Sequence, residues 1–128
     1  MESMSNMSQE ALIALPLLSG DTPHEIILLD SRWLAFHRGI NGPITIAKTK
    51  FSIENGSSWT AIIVDGSNSL ILASSYELGS NANDSSINLI EVLGHRLIVM
   101  PWQSLIIQLD EPALMQGTCF IENTKQDL

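Results

Sequence analysis

Residues 44–78 read ITIAKTKFSIENGSSWTAIIVDGSNSLILASSYEL, and this stretch decides the fold class. Three apolar runs rich in strand-forming residues are separated by Asn55-Gly56 and Asp65-Gly66; the runs cover residues 44–53, 59–64 and 70–78. Asn-Gly and Asp-Gly supply the positive φ values that tight hairpin turns need. The stretch therefore predicts an antiparallel meander. The serines and asparagine that follow each glycine predict loops longer than two residues.

On both sides of this stretch, short apolar runs again alternate with turn-forming residues. Further short apolar runs, bounded by Gly, Pro, Asn and Asp, occupy residues 25–29, 32–37, 87–93, 96–100, 104–109 and 119–122. About eight short strands at regular spacing are typical of an all-β sandwich or barrel. The sequence therefore predicts a mainly β fold, an antiparallel meander that forms a small sandwich or barrel.

The alternative is an α+β fold with one or two short helices packed on one sheet. Ser8 could cap a helix over residues 8–15 that ends at Pro16, although the run 11–15 fits a first strand equally well. A second short helix could span residues 111–116. The run 25–29 lacks alternation, and such continuous apolar runs are either buried on both faces or helical.

A chain of 128 residues is the usual size of one domain. We expect a frayed N-terminal segment at 1–10, a single β-rich domain at 11–122 and a polar tail at 123–128. The longest apolar run, residues 11–18, is interrupted by Pro16 and is far shorter than the ~20 residues of a membrane span. The one cysteine, Cys119, excludes an intrachain disulfide. We therefore expect a cytoplasmic protein without a membrane partner.

The formal net charge is −8, yet only 16% of the residues are charged and 45% are hydrophobic. An acidic chain lacks the basic footprint that nucleic-acid binding needs, so we expect no nucleic-acid partner. The cations concentrate in residues 31–53, which hold Arg32, Arg38, Lys48 and Lys50 and no acid. This basic block either pairs with the acidic segments around it or forms one face of the sheet.

The motifs of common enzymes are absent from the sequence. It contains no Gly-x-Ser-x-Gly elbow, no phosphate-binding glycine loop and no His or Cys pair at metal-ligand spacing. Cys119 lies in an apolar run with no neighbouring base, which is typical of a small buried residue. The residues give no basis for an enzyme assignment, and we expect no cofactor.

A small domain with few charges must leave apolar surface exposed unless another chain covers it. The first functional hypothesis is therefore a small acidic protein-interaction module (an adaptor, inhibitor or immunity-type protein) that acts through an apolar surface. Its partner is a second copy or a larger, basic protein, and a homo-oligomer is expected. Trp and Arg dominate interface hot spots, so the candidate interaction residues are Trp33, Arg38, Trp59 and Trp102.

The second hypothesis is a β-domain that binds calcium or a small ligand through its polar loops. Loops 65–69 and 81–86 carry oxygen-bearing side chains at alternating positions, and the candidate ligands are Asp65, Asn68, Asn83 and Asp84. Calcium takes six to eight oxygen ligands, including several carboxylates. Each loop offers one carboxylate, so a site would need acids from elsewhere in the fold.

Overall fold

The computed structural model describes residues 12–20, 22–54, 57–77 and 86–122. The predicted frayed segment at 1–10 and the polar tail at 123–128 lie outside these ranges. Asn55-Gly56, one of the two predicted turn dipeptides, also lies outside them.

The described residues form two antiparallel sheets, as the sequence predicted. Nine strands follow one another in the chain: β1 (Leu12–Pro16), β2 (Leu18–Ser19), β3 (Glu25–Asp30), β4 (Ile44–Ile53), β5 (Trp59–Asp65), β6 (Asn68–Ser74), β7 (Leu97–Val99), β8 (Gln103–Leu109) and β9 (Met115–Glu122). The four-stranded sheet has the order β1-β9-β4-β7, and the five-stranded sheet has the order β2-β3-β8-β5-β6. Buried side chains from both sheets form one core, so the fold is a small β-sandwich.

Strand β4 shows how the sequence builds this core. Ile46, Thr49 and Phe51 are buried, whereas Lys48 and Lys50 between them are exposed, as expected for a strand with one face on the core and one in water. Phe51 meets Trp59 of the other sheet edge-to-face, with ring centroids 5.7 Å apart. This aromatic pair joins the two layers at the centre of the sandwich.

The close approach of β9 to β4 requires a glycine. A Cβ atom at Gly117 would collide with the carbonyl oxygen of Lys50 and with Phe51. Any larger residue would therefore push apart two strands that pair in register from Lys48↔Phe120 to Ile53↔Met115.

The two predicted hairpin signals have different outcomes. At Asp65-Gly66, β5 turns back into β6, with Asp65 opposite Asn68 and Gly66 at φ 63°. The loop is two residues long, so the prediction of a longer loop is wrong. β4 and β5 do not pair with each other: β4 lies between β9 and β7, and β5 lies between β8 and β6. The chain therefore crosses from one sheet to the other between residues 54 and 58.

Two predicted strands are helices. The run 32–37 lies in α1 (Ser31–Arg38), and the run 87–93 gives way to α2 (Leu89–Leu93). Asp30 caps α1, since its Oδ1 accepts hydrogen bonds from the backbone N–H groups of Arg32 and Trp33. Asn88 caps α2 in the same way, and each helix ends at a glycine in the left-handed conformation. The capping residue at the start of each segment and the glycine at its end favour a helix, although the apolar run between them favours a strand.

The helices predicted in the α+β alternative are wrong within the described residues. Residues 12–15 belong to β1, which pairs with β9 from Leu12↔Glu122 to Pro16↔Thr118. Residues 110–114 are irregular, and Met115 already opens β9. The predicted strand 70–78 is shorter than expected, because β6 ends at Ser74 and a 3-10 turn follows at Ser75–Glu77.

In the described part of the chain, no helix has the length and apolar character that crossing a membrane would need.

Candidate functional site

The central strands of the five-stranded sheet are apolar on both faces. In β5, Ala61 and Ile63 belong to the core, and in β8 Leu105 and Ile107 do. Side chains of a strand alternate between the two faces. Ile62 and Ile106 therefore point away from the core, toward the outer face of the sheet.

Strand register places aliphatic side chains side by side across this whole outer face. The paired positions are Leu18↔Ile27, Ile27↔Ile106, Ile106↔Ile62 and Ile62↔Ile71. We call these five residues, one from each of β2, β3, β8, β5 and β6, the aliphatic row.

The aliphatic row is surface, although its centre is already shielded from water. Ile62 is only 5% exposed yet lies outside the core cluster. Ile71, at the sheet edge, is 68% exposed. The outer face of a sandwich sheet is normally polar. Five adjacent aliphatic residues on such a face therefore form an apolar patch that another surface can bury.

Polar and small residues flank the row on both sides. Thr60 lies opposite Gln108 and Ser74 on one side, and Val64 lies opposite Ser104 and Ser69 on the other. An apolar centre with a polar rim is the usual anatomy of a protein–protein interface.

Trp102 lies at one end of this face. Its indole Nε1 donates to Asp65 Oδ2 at 3.1 Å, and Gln103 Nε2 donates to the same oxygen at 3.1 Å. Trp102 is still 56% exposed. It lines a small pocket of about 100 Å³ together with Arg32 and Val64. Trp102 therefore adds an exposed aromatic group beside the rim residue Val64, next to the charged side chains of Asp30 and Arg32.

Helix α1 carries two of the predicted interaction residues. Arg38 is exposed in its last turn, with its guanidinium carbon 5.8 Å from the centre of the Trp33 ring. Trp33 is half-buried against the core and lies 4.8 Å from the His37 ring. Phe36, which the sequence did not single out, is 84% exposed and also contacts His37. The helix thus presents aromatic and cationic groups to solvent.

The fourth predicted interaction residue, Trp59, is a core residue. Its side chain is fully buried, and its backbone N–H donates to Ser75 Oγ at 2.9 Å. Its indole Nε1 has no hydrogen-bond partner among the described residues. A residue placed in this way is not available as a surface anchor, so its prediction as an interaction residue is corrected to a packing role.

The residues of the calcium hypothesis do not gather where the structure describes them. Asp65 is occupied by the two hydrogen bonds from Trp102 and Gln103. Asn68 is exposed beside the Gly66 turn, and Asn83 and Asp84 lie outside the described residues. Across residues 12–20, 22–54, 57–77 and 86–122, no three His, Cys, Asp or Glu side chains come together as a metal-binding group would.

The basic block does not form one face of the sheet. Arg32 and Arg38 lie on α1, whereas Lys48 and Lys50 lie on the outer face of the four-stranded sheet. Lys48 Nζ lies 4.9 Å from the centre of the Phe120 ring. Among the described residues the block makes no ion pair with a carboxylate; the ion pair found there joins Arg96 to Glu122.

The outer face of the four-stranded sheet holds a wide depression of about 380 Å³. Among the residues that the structure describes, Lys50 is its one charged lining residue, and Thr118 and Phe120 form part of its floor. It is wide and open to solvent, so it lacks the enclosing shape of a small-molecule site.

Side chains of the types that catalyse reactions do not come together in the described structure. Cys119 is fully buried, and burial raises the pKa of its thiol to about 12, which keeps it protonated and unreactive. His24 and His95 each contact a backbone carbonyl, of Leu109 and Arg96 respectively. Asp110 accepts a hydrogen bond from the Tyr76 hydroxyl. None of these groups forms a nucleophile–base pair.

Sequence reasoning missed the aliphatic row, although the signal was present. Runs such as EIILLD in β3 and SLIIQL in β8 place apolar residues on both faces of a strand. In a two-layer sandwich only one of those faces meets the core. Consecutive aliphatic residues in a predicted sandwich strand therefore indicate an apolar outer face.

No protein-family model matches this chain, and neither the curated proteins nor the solved structures contain a match to it.

Proposed function

We propose that this protein is a small interaction module that binds another protein chain through the outer face of its five-stranded sheet. The observation that carries this proposal is the aliphatic row, which crosses all five strands on the side away from the core. Burying such a face releases about 25 cal/mol for each Å² of apolar surface removed from water.

The surroundings of the row support a protein partner over a small ligand. The row is a surface stripe with a polar rim, whereas a small molecule needs a concave pocket that encloses most of it. Trp102 and Arg32 at the end of the face are the residue types that contribute most to binding energy at interfaces. The net charge of −8 would speed the encounter with a basic partner. Adaptors, inhibitors and immunity-type proteins act through such surfaces.

The cytoplasm is the compartment we propose for this activity. The chain has a single cysteine, and its thiol is buried in the core. Such a protein gains nothing from an oxidising compartment, where small domains are usually stabilised by disulfides.

Replacement of one residue in the middle of the row tests the proposal. Ile106→Lys places a charge at the centre of the proposed interface, while the long lysine side chain can still reach water in the free protein. We expect the affinity for the natural partner, isolated from cells that produce this protein, to fall at least tenfold, or about 1.4 kcal/mol.

Thr118→Lys is the matched control, because Thr118 lies on the outer face of the other sheet. It should leave binding unchanged. Equal losses for the two variants, or undiminished binding by Ile106→Lys, would contradict the proposal.

A further inference from the structure

The aliphatic row matches an α-helix in its spacing. Its five side chains come from five adjacent strands, and neighbouring strands of a sheet lie about 4.8 Å apart. One turn of an α-helix rises about 5.4 Å, so a helix laid across the strands presents about one side chain to each residue of the row. About three and a half turns reach from Leu18 to Ile71. An extended chain on the same line fits less well, because it directs a side chain toward the sheet only every ~6.6 Å.

The row is also as narrow as the apolar stripe of an amphipathic helix. On the two central strands, the residues two positions from the row are Ser104 and Gln108 of β8 and Thr60 and Val64 of β5. Three of these four are polar. Apolar residues at every third or fourth position of a helix form a stripe of this width, with polar side chains on both sides of it. A second sheet would bring a broader apolar face than the row can cover.

Carboxylates gather on one side of the row. Glu25 lies on the outer face at the start of β3, opposite Gln108. Asp110 and Glu111 follow at the end of β8 and are exposed, and the backbone N–H of Asp110 donates to Ser58 O. The start of β3 and the end of β8 lie at the same end of the sheet, since these strands are antiparallel. The surface on this side of the row is therefore acidic.

The other side of the row carries mixed charges. Asp30 lies there opposite Ser104, but its carboxylate caps α1, and Arg32 lines the same small pocket. Trp102 is exposed beside them. A partner that complements both sides of the row therefore carries cations along one side only.

We infer that the partner chain docks an amphipathic α-helix along the aliphatic row. Aliphatic residues of this helix face the row, and lysine or arginine lies on the side toward Glu25, Asp110 and Glu111. The inference rests on the proposed function, because it names the element with which the partner binds the proposed docking face. Attraction between the cations and these carboxylates adds to the burial of the row and is weakened by salt.

A second copy of the chain fits this site poorly. Each copy carries a net charge of −8, so like charges oppose its docking. The two described helices, α1 and α2, have eight and five residues. Both are shorter than the ~13 residues that three and a half turns require. The row therefore favours a helix from a different, basic protein.

A synthetic helical peptide tests the inference. The probe has about 14 residues, with leucine at every third or fourth position, lysine along one side and glutamine elsewhere. A lactam bridge on its outer side holds the helix, because isolated helices of this length are marginal in water. Calorimetry should show binding to the wild type and at least tenfold weaker binding to Ile106→Lys. Thr118→Lys makes the same change in charge on the opposite sheet and should bind like the wild type.

Two control peptides separate the pattern of the probe from its charge. One has the same composition with leucine at alternate positions, as in a strand. The other keeps the helical pattern and carries glutamate in place of lysine. We expect both to bind the wild type at least tenfold more weakly than the probe. Equal binding by either control, or equal losses for Ile106→Lys and Thr118→Lys, would overturn the inference.

Neutralising one carboxylate tests the side on which the cations lie. Glu25→Gln should weaken binding of the probe about threefold, as expected for one ion pair at a surface. Glu122→Gln removes the same charge from the face of the four-stranded sheet and should leave binding unchanged. Equal effects of the two variants would contradict the placement of the cations.

The helix and the proposed function can fail separately. If Ile106→Lys loses the natural partner but the wild type binds no helical peptide, the helix is overturned and the docking face stands. A natural partner that binds Ile106→Lys undiminished overturns the docking face itself. A wild type that is dimeric by light scattering, and monomeric after Ile106→Lys, would assign the row to a second copy and overturn the inference.

Discussion

At the scale of single residues, Cys119 shows how burial removes a reactive group from use. It lies on the inner face of β9, opposite Leu15 on one side and Thr49 on the other. Burial raises the pKa of its thiol from 9.0 to about 12, because the thiolate would have to form without water. The residue therefore acts as a small apolar packing group, in agreement with the prediction from sequence.

This pKa shift predicts a loss of stability at alkaline pH. The unfolded thiol ionises near pH 9.0 while the folded thiol stays neutral up to about pH 12. The free energy of unfolding is therefore unaffected by this thiol below about pH 9, and it falls by about 1.4 kcal/mol for each pH unit above that. Urea unfolding at about pH 8 and about pH 10 should show a steeper fall for the wild type than for Cys119→Ala. Identical pH dependence in the two proteins would be inconsistent with a buried neutral thiol.

At the scale of elements, a buried hydrogen-bond network attaches α2 to β4. Thr49 Oγ1 accepts from Leu89 N at 2.8 Å and donates to Ile87 O at 3.3 Å. Asn88 Oδ1 accepts from the backbone N–H groups of Thr49 and Ile90, both at 3.1 Å. The side chains of Thr49 and Asn88 thus accept hydrogen bonds from backbone N–H groups at the start of α2. They hold the helix against β4, a central strand of the four-stranded sheet.

Removing the Thr49 hydroxyl should lower the free energy of unfolding. Thr49→Val preserves side-chain volume but leaves the buried N–H of Leu89 without an acceptor, which costs about 1–3 kcal/mol. Thr45→Val makes the same change on the same strand, at a half-buried side chain with no hydrogen bond in the described structure. We expect this control to change stability by less than about 0.5 kcal/mol in urea unfolding. Equal effects would show that the network contributes nothing.

The elements also show what could be predicted from the sequence. Apolar runs located β4, β5 and β8 because their strand character is local. The caps at Asp30 and Asn88, with Gly39 and Gly94 after each helix, are equally local signals, and they mark helices where the apolar runs alone predict strands. The pairing of β1 with β9 was not predictable, since the two strands lie at opposite ends of the described chain and no local pattern connects them.

Some residues of the candidate site could likewise be predicted from the sequence, and others could not. Trp102 was chosen for its residue type, and the structure places it at the end of the apolar face. Trp59 was chosen on the same grounds but packs between the sheets, because a tryptophan at a strand start can face either side. Ile62 and Ile106 were missed, since their role depends on which strands lie side by side.

At the scale of the whole molecule, the two outer faces of the sandwich differ in chemistry. The face of the four-stranded sheet carries Lys48, Lys50 and the Arg96–Glu122 ion pair. The face of the five-stranded sheet carries the aliphatic row. Glu25 and Asp30 also lie on this face, opposite Gln108 and Ser104, so the two faces differ by the aliphatic row and not by an absence of charge. This asymmetry is what a module that docks through one face requires.

Site-specific photo-cross-linking in living cells tests this central claim most directly. A photoreactive amino acid replaces Ile106 on the apolar face in one variant and Thr118 on the opposite face in another. The account predicts a covalent adduct to a second protein chain from position 106 and none from position 118. No adduct from position 106, or the same adducts from both positions, would contradict it.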